Sequence, residues 1–103
     1  LLTLVTYGGI MILSFGSKET NKVWQGERVK KWSLDLQTAS RRKLRMLNNS
    51  FDIADLRIPP SNRLEKLGGN FKGFYSIRIN NQWRIIFKWE NGNAFEVEII
   101  DYH

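Results

Sequence analysis

Apolar and polar side chains alternate with a period of two through most of the last third of the chain. Tyr75, Ile77 and Ile79 alternate with Ser76 and Arg78; Trp83, Ile85, Phe87 and Trp89 with Arg84, Ile86 and Lys88; Phe95, Val97 and Ile99 with Glu96, Glu98 and Ile100. This pattern predicts a three-stranded antiparallel meander over 72–103. The turns fall at Asn80-Asn81-Gln82 and Asn91-Gly92-Asn93, where Asn and Gly tolerate positive φ.

Burial sets the register, because a slip of one residue sends every apolar side chain to the wrong face. A three-residue second turn pairs Trp89 with Phe95, Phe87 with Val97 and Ile85 with Ile99. It is preferred to a two-residue Asn91-Gly92 loop, which opposes Lys88 to Phe95. The first hairpin pairs Ile79 with Trp83, Ile77 with Ile85 and Tyr75 with Phe87. Arg78 then faces Arg84, with Ile100 opposite Arg84 and Tyr102 one diagonal step away. Like charges opposite each other destabilise a sheet pair. Either the two arginines share an anion such as a phosphate, or Glu98 and solvent screen them.

Upstream the period changes. Residues 12–15 read as a short strand. Ser17 is an N-cap for a short helix through Val23 and Trp24, stopped near Gly26. The basic stretch 27–31 has no period and reads as a loop anchored by Trp32. Over 38–49 a helix places Ala39, Leu44, Met46 and Leu47 on one side and Arg41, Arg42 and Arg45 on the other. Lys43 falls within the apolar arc and is expected to snorkel outward. The arginine stripe is a solvated face or a nucleic-acid contact. Asp52 and Asp55 cap a short helix through Leu56, which Pro59-Pro60 ends. Residues 61–71 approach the sheet as a loop carrying Arg63, Glu65 and Lys66, with Lys72 just beyond and a bend at Gly68-Gly69. The expected fold is α+β: an N-terminal strand and two to three helices packed on a C-terminal antiparallel meander.

Composition narrows the chemistry. At 103 residues and 42% hydrophobic content the chain makes one domain. Without cysteine it has no thiolate metal site or disulfide, and one histidine makes a histidine-built metal centre improbable. No cofactor is expected. The net charge of +6 favours an anionic partner: nucleic acid, a membrane surface or an acidic protein. The apolar opening 1–15 lacks a basic start and a small-residue cleavage site, is interrupted by Gly8-Gly9, and is too short to span a bilayer. Met11 before 12–15 reads as the natural start, making 1–10 an upstream extension; the competing reading is a further strand or a partner-binding arm.

Asn62-Arg63-Leu64-Glu65, Tyr75-Ser76-Ile77-Arg78-Ile79, Gln82-Trp83-Arg84-Ile85 and the terminal Asp101-Tyr102-His103 together resemble HigB-type toxins, the plasmid-maintenance killer proteins of the RelE/ParE superfamily. The resemblance runs from about residue 11 to 103. It implies a RelE/ParE-like α+β fold in a bacterial cytoplasm and ribosome-dependent cleavage of messenger RNA without a metal. It also implies a HigA-like helix-turn-helix antitoxin, operator DNA being bound only through that complex, and no membrane. Matched residue by residue, Arg84 stabilises the charge that develops on phosphorus, while Tyr102 and His103 orient substrate and handle a proton. A histidine titrating near ~6.5 suits general-acid work. Better-known relatives carry a histidine and a lysine in the loop before the sheet, where this chain has Glu65 and Gly68. Glu65 is therefore the candidate base, although Arg63 and Lys66 favour its ionised form, and Lys66 or Lys72 is the candidate replacement cation. Arg78, Arg63, Lys66, Lys72, Arg41, Arg42 and Arg45 are the candidate RNA or ribosome contacts.

For His103 the bland reading is a frayed end, against which stands the strong strand before it. Two other classes share the charge and the fold. A ParE-like inhibitor of DNA gyrase needs no Arg84, Tyr102 and His103 together. A non-catalytic nucleic-acid-binding module binds with steep salt dependence and cuts nothing.

Overall fold

The computed structural model describes residues 12–102, so Met11, the extension 1–10 and His103 lie outside the described residues. Two helices, α1 (Lys18–Gln25) and α2 (Leu34–Asn48), pack on one face of an antiparallel sheet of β1 (Glu65–Lys66), β2 (Tyr75–Arg78), β3 (Trp83–Glu90) and β4 (Asn93–Asp101), in that spatial order. Short 3-10 turns at Ile53–Arg57, Pro60–Asn62 and Gly69–Phe71 link the layers.

Local signals set the helix ends. The Ser17 hydroxyl accepts from the Thr20 amide, and Gly26, at φ 86, closes α1 in the left-handed conformation that costs glycine least. α2 begins four residues before the expected start, because Ser33 caps it by accepting from the Leu36 amide. Its buried positions Leu36, Ser40, Lys43, Leu44 and Leu47 keep helical spacing. Asp52 and Asp55 form the reciprocal cap expected of them, on a 3-10 turn in place of an α-helix.

Lys43 corrects the expectation of a snorkelling side chain. It is buried, and its Nζ donates to Asn62 Oδ1 at 2.6 Å. Asn62, itself fully buried, donates from Nδ2 to the Leu56 carbonyl and to Met46 Sδ. A polar partner inside the arc thus replaces the route to water. Burial lowers the Lys43 pKa first, with Arg42 and Arg78 adding to the effect.

Residues 12–15 bridge to the outer edge of β4 in parallel, through Ile12 to Ala94 and Phe15 to Val97. Val97 N donates to the Ser14 carbonyl at 3.0 Å, and Gly16 N to the Val97 carbonyl at 2.9 Å. The core joins Ile77, Ile85, Phe87, Val97 and Ile99 of the sheet to Val23, Leu36, Leu44, Leu47 and Leu56.

The first hairpin has the expected register, Arg78 opposite Arg84 included. The second does not keep one register throughout. Asn91 (φ 52) and Gly92 (φ 78) make a two-residue turn, so Glu90 pairs with Asn93, Trp89 with Ala94 and Lys88 with Phe95. A bulge at Glu96, with φ 52, then restores Ile86 opposite Glu98 and Ile85 opposite Ile99. The extra residue reconciles the Asn-Gly turn, whose twist suits a hairpin, with burial further along. Its consequence is that Phe95, expected beside Trp89 on the core face, stands with Lys88 on the opposite face, and Ala94 takes the core position.

Candidate anion site on the open face of the sheet

The helices cover one face of the sheet and leave the other open. Across that open face run two rows of side chains, Glu65, Ser76, Ile86 and Glu98 in one, Arg78, Arg84 and Ile100 in the next. Ile86 is nearly fully buried yet stands apart from the main core, forming the floor of this face.

Arg84 is the centre of the site. Its Nη1 donates to Glu65 Oε1 at 2.9 Å and to Ser76 Oγ at 3.2 Å. Its guanidinium carbon lies 4.8 Å from the centroid of the Tyr102 ring, a cation–π contact. The Arg84 side chain is 14% exposed and that of Glu65 53%. The cation is therefore fixed in orientation while its carboxylate partner meets solvent. Among the described residues both hydrogen bonds engage Nη1, which leaves Nη2 and Nε as a fork that fits an anionic oxygen pair.

Asp101 and Tyr102 are held beside this point. Tyr102 N donates to the Gln82 carbonyl at 2.7 Å, and Gln82 Nε2 donates to Asp101 Oδ2 at 3.0 Å. The turn carrying Gln82 is closed by Asn80, whose Oδ1 accepts from the amides of Gln82 and Trp83. Arg78 is turned toward the Asn81 carboxamide. The like-charge pair is thus relieved within the chain, by Glu65 on Arg84 and Asn81 on Arg78. Glu98, expected to screen the arginines, lies across Ile86 from Ser76, one row away from them; burial and the nearby Glu19 raise its pKa.

The other candidate residues are distributed unevenly. Glu65 and Lys66 form a two-residue strand where a loop was expected; Glu65 joins Arg84, whereas Lys66 pairs with Tyr75 and so alternates to the other face. Arg63 is exposed in a left-handed conformation at the end of a 3-10 turn, and Lys72 is exposed beyond Gly69–Phe71. Arg41, Arg42 and Arg45 are exposed on α2, on the helix side of the sheet. His103 lies outside the described residues. Ser76, fully buried beneath Arg84, was not singled out from the sequence; the signal available was a small hydroxyl residue one strand position from the facing arginines. Gly68 has open space where a side chain would stand.

The chain is 51% identical over 59 residues to Toxin HigB-1 of Vibrio cholerae, a match covering 57% of this chain and 62% of that protein. It is 39% identical over 41 residues to Endoribonuclease HigB of Proteus vulgaris, covering 40% of this chain and 45% of that one. The chain thus spans about half the length of the curated relatives it matches. In fold it is similar to a chain of a YoeB-YefM complex from Staphylococcus aureus, with a TM-score of 0.58, 17% identity, and 91% and 97% of the two chains covered. A YoeB dimer from the same organism gives a TM-score of 0.56 at 19% identity, over 92% and 98%. The model of the RelE-like toxins of HigB type II toxin–antitoxin systems matches residues 13–103, and the chain belongs to that family.

Proposed function

We propose that this chain is a toxin that cleaves messenger RNA on the ribosome in the bacterial cytoplasm, using the open face around Arg84, and that a HigA-like helix-turn-helix antitoxin neutralises it. The observation that carries this reading is the fixed guanidinium of Arg84, held through Nη1 by Glu65 and Ser76 and stacked on Tyr102, with no other hydrogen bond to it among the described residues. The name of the Proteus relative, an endoribonuclease, supports it.

In the reaction the 2′-oxygen attacks the adjacent phosphorus, its proton passes to a base, and the bond from phosphorus to the 5′-oxygen breaks. Negative charge builds on the non-bridging oxygens, where the Nη2 and Nε edge of Arg84 meets it. Glu65, already oriented by Arg84 and open to solvent, accepts the 2′-proton. The Tyr102 ring keeps the guanidinium plane in place, and His103 supplies the proton to the leaving oxygen, the part the family resemblance gives it. Arg78 and the α2 arginines contact the RNA or ribosome.

Mapping RNA 5′ ends with and without translating ribosomes tests this. Wild-type protein is expected to cut only with ribosomes, and Arg84→Ala to cut about 10²–10³-fold more slowly while unfolding at the same temperature. Intact RNA alongside halted growth would sink the nuclease reading.

A further inference from the structure

The bulge at Glu96 places an aromatic row on the same open face as Arg84. Leu67 N donates to the Phe74 carbonyl at 2.8 Å, which aligns Leu67 with Phe74; Lys88 pairs with Phe95, and Lys88 Nζ lies 5.2 Å from the Phe74 ring centroid. Leu67, Phe74, Lys88 and Phe95 thus cross the sheet in one line. Phe71, 38% exposed, meets Phe74 edge to face at 6.2 Å. A cavity of about 420 Å³ opens at the Phe95 end of this row, with Ser14, Gly73, Lys88, Phe95 and Glu96 among its lining.

Among the described residues no helix lies on this face of the sheet, and neither Phe74 nor Phe95 is part of the core cluster or packed against it. The charge in the row is balanced, because Lys88 is paired with Glu96 at 3.1 Å. What the row offers a ligand is therefore aromatic and apolar surface, with the Lys88 ammonium already lying over one face of the Phe74 ring. Lys88 lies four residues from Arg84 on the same face of β3, about 13 Å along the strand. A single strand whose phosphate sits at Arg84 and which follows β3 must pass over the rings.

We propose that Phe74 and Phe95, with Lys88 between them, form a stacking platform for an unpaired nucleobase of the RNA, next to the nucleotide whose phosphate Arg84 holds. The proposal rests on the nuclease reading above. Stacking of this kind tolerates any base, since every base has a π-face, and contributes affinity without touching a phosphate.

The test is fluorescence anisotropy with a labelled single-stranded 2′-O-methyl RNA, which cannot be cut, against an abasic oligonucleotide of the same length. Phe74→Leu and Phe95→Leu keep apolar volume but lose the ring. Each is expected to weaken binding of the base-bearing strand at least about fivefold, to leave abasic binding and the salt dependence unchanged, and to unfold at the wild-type temperature. Equal losses on both oligonucleotides, or none on either, overturn the platform. Weakened antitoxin binding with RNA affinity intact would make the row a protein-binding surface instead and also overturns it. If wild-type protein cuts ribosomal messages while the leucine variants bind as wild type, the platform alone fails. If wild type neither binds nor cuts, both readings fall.

Discussion

Lys43 and Ser40 are both buried polar residues of α2, and they differ in one respect. Lys43 has the Asn62 carboxamide oxygen at 2.6 Å, whereas Ser40 Oγ has no hydrogen-bond partner among the described residues. An unpartnered buried hydroxyl has lost its water without replacement, which costs roughly 1–3 kcal/mol. Alanine keeps the β-carbon of Ser40 and has the better helix propensity. Ser40→Ala is therefore expected to stabilise the fold by about 1 kcal/mol in urea unfolding, at unchanged m-value. A loss of that size would show that the hydroxyl is bonded after all. Removing Lys43 has the opposite logic, because it strands the Asn62 oxygen in a buried site. The sequence placed Lys43 within the apolar arc of the helix, but it could not show the partner that keeps it there, since Asn62 lies nineteen positions away.

At the scale of elements, the outer edge of β4 shows how the layers are tied. The parallel segment 12–16 satisfies its backbone only as far as Val97; the next inward donor, Ile99 N, is met by Thr20 Oγ1 at 2.9 Å. Thr20 also shares a hydrogen bond with Ser17 Oγ, so the cap of α1 and the edge of the sheet are joined through one fully buried hydroxyl. Thr20→Val preserves shape and removes the acceptor, and is expected to cost about 1–3 kcal/mol and to speed amide exchange at Ile99, with Thr20→Ser close to wild type. A valine variant as stable as wild type would rule out this tie. The limits of α1 were legible because Ser17 and Gly26 are local signals. The two-part register of the second hairpin was not: a period-two pattern holds Phe95, Val97 and Ile99 in phase, and nothing in the residue type of Glu96 announces a positive φ. β1 was missed for a related reason, since two residues cannot display a period, and Glu65 found its arginine only through that strand.

For the whole molecule, the net charge of +6 is not spread evenly in its effect. Arg84 and Arg78 stand on the open face, Arg78 also acts on the buried ammonium of Lys43, and so does Arg42 of α2. Arginines therefore stand on both sides of the sheet, and under the proposed function the two sets would have different tasks: backbone contact for the α2 stripe and chemistry for Arg84. The sequence made the cations visible but not their placement on two sides of the sheet, because α2 and β3 meet only in the folded chain. The two sets separate in salt titrations of binding to programmed ribosomes. Arg41, Arg42 and Arg45 changed together to alanine are expected to lower the slope of log affinity against log salt by about one unit for each phosphate no longer neutralised, and to leave the cleavage rate at saturation near wild type. Arg84→Ala is expected to do the reverse: a small change of slope and a large loss of rate. A triple variant with an unchanged slope would return the α2 stripe to the role of a solvated face, leaving the open face to bind and to cut on its own.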